Sequence, residues 1–205
     1  MNTHIITIIL YFAILLFSVI IHEVSHGLAA LRNGDDTAYL MGRLTLNPLP
    51  HIDPFGSILL PFILFLFHSP FLFGYAKPVP INPIRFKNYD IGMIEVGLSG
   101  CLANFIFGSI CAFLSRFISG SISHYLLFAG FLNFFLGFFN LIPIPPLDGS
   151  RVLGVLLPPR WTFFYDRIER YGMFLVFILI FFVGLGFLST LSNFFVSLIA
   201  GIPYT

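Results

Sequence analysis

Ile5 to Ile21 (I-I-T-I-I-L-Y-F-A-I-L-L-F-S-V-I-I) runs without a break into His22-Glu23-Val24-Ser25-His26. An apolar run of this length, at ~1.5 Å per helical residue, approaches the ~30 Å of a bilayer core, so the stretch reads as a membrane helix. Three ionisable residues at its end are costly there and mark a functional site by default. Their spacing says which. Histidines at i and i+4 lie one turn apart on one helix face, where both can bind one zinc ion. The glutamate between them, about 100° round the helix, can reach a water on the metal. Zinc acidifies that water, and the glutamate takes its proton and returns it to the leaving amine.

The rest of the chain agrees with a membrane setting. Of 205 residues, 58% are hydrophobic and 9% charged, with a mean hydropathy of +0.96. Soluble domains carry about 25% charged residues, so a polytopic membrane protein is expected. A net charge of +1 argues against a nucleic-acid partner. Cys101 and Cys111 lie in one apolar segment, too far apart on a helix for a disulfide, and read as packing residues. No basic n-region precedes the first apolar run, so that run is expected to be retained.

Thr3 to Leu31 is expected to form one helix ending at Arg32-Asn33-Gly34. Gly42 to Pro48 alternates and then breaks, as a short strand entering a turn would. Residues 54–75 are apolar but interrupted at Pro54, Pro61 and Pro70, which favours a short, bent, re-entrant element over a full span. Ala76 to Asn88 reads as extended chain, at most an edge strand. Ile91 to Phe117 and Tyr125 to Leu141 are further spans. Between Asn140 and Arg151 (N-L-I-P-I-P-P-L-D-G-S-R) the prolines unwind the backbone, which is tolerated at membrane depth only under protein or beside a cavity. Tyr171 to Ala200 is either one long helix or one broken near Gly184 and Gly186. The fold class is therefore an all-α polytopic membrane protein of about four to six transmembrane segments, with a short extended or β segment and a re-entrant element at 54–75. One membrane-embedded domain, 1–205, is expected, with its core at 4–157 and a C-terminal apolar helix region at 171–200.

Two histidines leave a zinc site one protein ligand short. Asp35, Asp36, Asp90, Glu95, Asp166 and Glu169 lie in polar loops or near helix ends and read as solvated charges. Asp148 follows the unwound proline run at the end of a span and is the expected third ligand. Asp53, beside His51 in the H-I-D-P turn, is the competing candidate. His4, His68 and His124 lack the spacing or depth of the site.

The paired motifs, His22-Glu23-Val24-Ser25-His26 and Asn140 to Gly149 (N-L-I-P-I-P-P-L-D-G), resemble those of the site-2 protease family of intramembrane zinc metalloproteases. Gly42 to Gly56 and Gly74 to Pro83 are similar to the short prokaryotic members, and the resemblance covers most of residues 15–155. It implies that His22, His26 and Asp148 bind one Zn2+ and that Glu23 is the general base. It also implies catalytic places near the metal for Asn104 and Asn140, whose amides could donate to the scissile carbonyl or its oxyanion. The family usually writes G-P-x-x-N where this chain has Gly100-Cys101-Leu102-Ala103-Asn104, so a locally straighter helix is expected here. No stretch encodes the PDZ or CBS domains of larger members.

The expected activity is hydrolysis of peptide bonds in or near transmembrane segments, with a transmembrane protein as substrate and the bilayer as setting. The alternative is a zinc-binding transporter or sensor without proteolysis. A transporter would line a path with polar residues in successive helices, whereas these gather at one depth. Gly74 to Val79, extended and edged by proline, could add an unwound substrate as a β-strand. Topology completes the picture. If 54–75 dips in and returns, nine of the ten Lys and Arg residues share one side with the site and only Arg116 faces the other. A full crossing splits them seven to three and carries Asp148 away from the histidines. The positive-inside rule then favours the re-entrant arrangement, in a prokaryotic cell membrane with the active site toward the cytoplasm.

Overall fold

Among the residues described, three helices make the main contacts with the first. The computed structural model describes residues 3–59, 63, 66, 77–158, 160, 165 and 167–202. α1 (Thr3–Arg32) is followed by the short α2 (Thr37–Leu40), then by α3 (Tyr89–Leu114), which a 3-10 turn at Ser115–Phe117 extends. α4 (Ser121–Asn140), α5 (Asp148–Leu156), α6 (Gly172–Ile178) and α7 (Gly186–Ala200) complete the order. α1, α3 with its 3-10 turn, and α4 are long and apolar enough to cross a membrane. Ile8, Ile9 and Phe12 of α1 and Ile106 of α3 stay exposed, as lipid-facing side chains would. The protein is an all-α membrane protein.

Small residues let these helices close. α3 and α4 run antiparallel with Gly108 against Gly130, where a Cβ on Gly108 would lie 3.1 Å from the Gly130 carbonyl oxygen. Ala112, Leu127, Phe134, Val196 and Ala200 form the buried cluster joining α3, α4 and α7. Gly97 faces α5, with its missing Cβ 3.0 Å from Val152 Cγ2 and 3.1 Å from the Asp148 carbonyl oxygen. α3 runs through Cys101 as an unbroken α-helix, because no proline interrupts its hydrogen bonds there.

α1 ends where α3 begins. The Lys87 N–H donates to the Asn33 carbonyl at 2.9 Å, and Asn33 Nδ2 donates to Glu95 Oε2 at 2.8 Å. The Asn88 side chain caps α3 by accepting the Ile91 N–H at 3.0 Å. Two expectations change in detail. Residues 42–48 form bends and no strand is present among the described residues. Thr45 Oγ1 accepts the Asn47 N–H and Asn47 Oδ1 accepts the Leu49 N–H, both at 3.1 Å, so local side-chain bonds replace a ladder. Unwinding after α4 ends at Leu147, and Asp148 opens α5 rather than preceding it. Of 54–75, the described part is a π-helical turn at Pro54–Leu59 with Ile63 and Leu66; the remainder of the expected re-entrant element lies outside the described residues. The C-terminal region is broken at Gly184, whose φ of +76° favours glycine.

Candidate metal and catalytic site

Three elements bring His22, His26 and Asp148 together. α1 supplies the two imidazoles one turn apart, and the sharp break after α4 turns the chain back so that α5 opens on the carboxylate. Gly149 makes that start possible: a Cβ there would sit 2.2 Å from the Leu141 carbonyl oxygen. His22 Nε2 lies 2.9 Å and His26 Nε2 3.1 Å from Asp148 Oδ2, and the two Nε2 atoms are 3.0 Å apart. All three side chains are buried. Among the described residues they are the one group of three or more His, Cys, Asp or Glu whose ligand atoms converge. Asp53 is elsewhere, with Oδ1 accepting the Gly56 N–H at 2.7 Å, and His51 Nε2 is 2.9 Å from the Thr45 carbonyl.

The donor set fits zinc. His26 Nδ1 lies 2.7 Å from the Val96 carbonyl oxygen, which can only accept, so Nδ1 carries the proton and Nε2 is the bare nitrogen. That orients one ligand through a main-chain acceptor on α3, with Ser99 Oγ 3.2 Å from the same nitrogen. The bare Nε2 of His26, the Nε2 of His22 and a carboxylate oxygen converge at these separations, a donor set that a cation would satisfy. Tetrahedral zinc with ligands at ~2.0–2.1 Å would space them at roughly 3.3 Å, close to the separations present. Gly100 forms the wall behind the rings. A Cβ there would lie 2.6 Å from His26 Nε2 and from His22 Cε1, so α3 can back onto both imidazoles only without a side chain.

Glu23 is held from a different direction. Its Oε2 accepts the Val79 N–H at 2.8 Å, from the extended chain 77–82 that crosses α1 beside Gly27. This strap is tied down along its length. The Lys77 N–H donates to the His51 carbonyl at 2.9 Å, and Arg43 Nη2 donates to the carbonyls of Lys77 and Pro78 at 2.8 and 3.2 Å. At its end the Asn82 N–H donates to Asp35 Oδ2 at 2.6 Å. Burial opposes ionisation of Asp35, but the Asn82 amide, the Thr37 hydroxyl and amide and the Arg85 charge outweigh it and hold its pKa below the usual value. Pro78 and Pro80 have no N–H, and the amides of Lys77, Val79 and Asn82 are taken by His51, Glu23 and Asp35. Gly74 to Ala76, the other part of the expected template, lie outside the described residues.

The two asparagines differ. Asn104, one turn beyond Gly100, is fully buried, and neither its Nδ2 nor its Oδ1 has a partner. Asn140 Nδ2 donates to its own helix at the Leu136 carbonyl, 3.0 Å. The sequence reading overlooked Asn133, fully buried on α4, whose Nδ2 donates to Ser18 Oγ at 2.8 Å. Ser18 lies four residues before His22 and Asn133 seven before Asn140. Polar residues recurring on the site-bearing faces of apolar helices were the available signal.

The chain is similar to known zinc metalloproteases. Residues 115–183 match the model of peptidase family M50, a stretch that holds Asn140 and Asp148 but not the histidines. The chain is 37% identical over 184 residues to "Putative zinc metalloprotease YwhC" of Bacillus subtilis, covering 84% of this chain and 80% of that protein. It is 29% identical over 174 residues to "Putative zinc metalloprotease Rip2" of Mycolicibacterium smegmatis, covering 80% and 64%. A third relative, "Zinc metalloprotease MJ0392" of Methanocaldococcus jannaschii, is 38% identical over 74 residues, 35% of this chain and 22% of that protein. No solved structure matches the chain.

Proposed function

This chain belongs to peptidase family M50, and from that premise we propose a zinc-dependent intramembrane endopeptidase that hydrolyses peptide bonds in or near transmembrane segments of membrane proteins. One observation carries the reading: Glu23 stands between two histidines whose Nε2 atoms meet Asp148 Oδ2 within 3.1 Å, inside a helix built for lipid. His22, His26 and Asp148 are the ligands we assign. Zinc, when bound, supplies Lewis acidity, acidifying water and polarising a carbonyl oxygen. Glu23 accepts the proton of the attacking water at its carboxylate and delivers it to the amide nitrogen of the departing chain as the C–N bond breaks. Asn104 has an amide with both atoms unspent, which supports its use as a donor to the scissile carbonyl. Asn140 would join it only after releasing the Leu136 carbonyl.

The setting follows. We read residues 1–205 as one membrane-embedded domain, multi-pass in a prokaryotic cell membrane, with 54–75 re-entrant and the site toward the cytoplasm. The Lys87–Asn33 hydrogen bond supports this, because it holds the end of α1 beside the start of α3. A zinc transporter or sensor is not favoured, since it gives Glu23 no role. The test is cleavage of single-span membrane proteins by the purified chain. Glu23→Gln should lower the rate by about 10²–10⁴ while zinc per chain stays at the wild-type value. Undiminished cleavage by Glu23→Gln would rule out the assigned base.

A further inference from the structure

Arg43 is a buried cation, 5% exposed, and among the described residues its hydrogen bonds go to main-chain carbonyls rather than to a carboxylate. Burying a guanidinium on neutral acceptors is expensive, and an apolar side chain would pack the loop at lower cost. The place of those carbonyls supplies a reason for the charge. The Pro78 carbonyl that accepts from Arg43 and the Val79 N–H that donates to Glu23 belong to one peptide unit. A trans peptide points its C=O and N–H in opposite directions, so Arg43 lies on one side of the plane and Glu23 on the other. The chain reads Arg43 Nη2–H to Pro78 O at 3.2 Å, then Val79 N–H to Glu23 Oε2 at 2.8 Å. A cation on the carbonyl end polarises the group and strengthens its N–H as a donor. A second bond from the same Nη2, to the Lys77 carbonyl at 2.8 Å, fixes the preceding residue. Proline rings at 78 and 80 restrict the backbone on both sides of Val79.

We propose that Arg43 is a positioning residue for the general base: through the Pro78–Val79 peptide it holds the carboxylate of Glu23 in its working orientation. Arg43 touches neither the ligand cluster nor the reacting atoms, so its effect should fall on turnover rather than on metal or substrate binding. Lysine should replace it only in part, because its ammonium keeps the charge but lacks the planar guanidinium that places one nitrogen, Nη2, against two consecutive carbonyls. The proposal rests on the peptidase reading for its consequence and on geometry alone for the clamp.

The test uses the full-length protein with Arg43→Met, which keeps the stem, and Arg43→Lys, which keeps the charge, beside Arg85→Met as a control on the exposed Arg85–Asp36 pair. Amide hydrogen exchange is read by mass spectrometry on peptides spanning 77–82, in which only Lys77, Val79, Ile81 and Asn82 exchange. Arg43→Met should raise exchange at Val79 by at least about tenfold, with Arg43→Lys intermediate and Arg85→Met unchanged. Turnover of a single-span substrate should fall about 10²-fold in Arg43→Met, with KM within about twofold and zinc per chain unaltered. In a Glu23→Gln background the same substitution should cost no more than about twofold further, because the group it orients is already gone. Val79 exchange unaltered by both Arg43 variants, or a loss that multiplies with that of Glu23→Gln, overturns the proposal. If the wild type cleaves nothing while Val79 exchange responds to Arg43, the peptidase reading fails and the clamp stands.

Discussion

Gly100→Ala tests the site's geometry by adding one methyl group. The new Cβ would lie 2.6 Å from His26 Nε2, 2.6 Å from His22 Cε1 and 2.7 Å from His22 Nδ1. Non-bonded carbon atoms rest at about 3.5–4.0 Å, so the rings or α3 must give by roughly 0.9 Å. Metal–ligand distances tolerate only about 0.2 Å, so a displacement of this size removes at least one histidine from the ion. Disturbing groups that merely support ligands costs about 10–100-fold in metal affinity; the loss here should reach or exceed the upper end. Helix stability should move the other way, because alanine gains about 0.8–1 kcal/mol over glycine in a helix interior. The assay is zinc competition against a graded chelator, run beside circular dichroism through thermal unfolding of the metal-free protein. Gly154→Ala is the control, since its Cβ would meet only Tyr165 Cε1, at 4.0 Å. If Gly100→Ala holds zinc as tightly as the wild type, the two histidines do not lie against α3 as described and the site must be rebuilt.

Asp148→Ala should lower zinc affinity as His26→Ala does, while Asp53→Ala keeps the metal; the reverse pattern in zinc content would move the site to the His51–Asp53 turn. Asn104→Leu should lower turnover by about 10²–10³ with zinc retained. Loss of zinc instead would make Asn104 a support for His22, whose Nδ1 is buried without a partner, and would withdraw the carbonyl-donor role. In a background of Cys101→Ala and Cys111→Ala, Asn33→Cys and Asn88→Cys should label from the same face of sealed vesicles. Labelling from opposite faces would mean that 54–75 crosses the membrane.

The sequence by itself determined the membrane class, through apolar runs long enough to cross, and the chemistry, through an H-E-x-x-H that helical periodicity alone puts on one face. It also singled out Asp148, because three prolines in four positions cannot continue α4 and an acid directly beyond them has few uses. What pattern cannot carry is everything made by main-chain groups. A Val96 carbonyl that sets the tautomer of His26, a Val79 N–H that holds Glu23 and a Pro78 carbonyl that receives Arg43 belong to backbone that every residue shares. Side-chain identity therefore leaves no trace of them, and only the approach of distant segments selects which carbonyl or amide is used. The same holds for Gly100. As a small residue in an apolar helix it reads as one of several packing glycines, and only the antiparallel seating of α3 on α1 sets it against the ligating nitrogens. Asn104 and Asn140 show the limit from the other side: their residue types are alike, but α3 leaves one amide unspent while α4 turns the other back on its own helix. Hydrogen bonds are directional and short-ranged, so a donor's use is decided by the last ångström of packing.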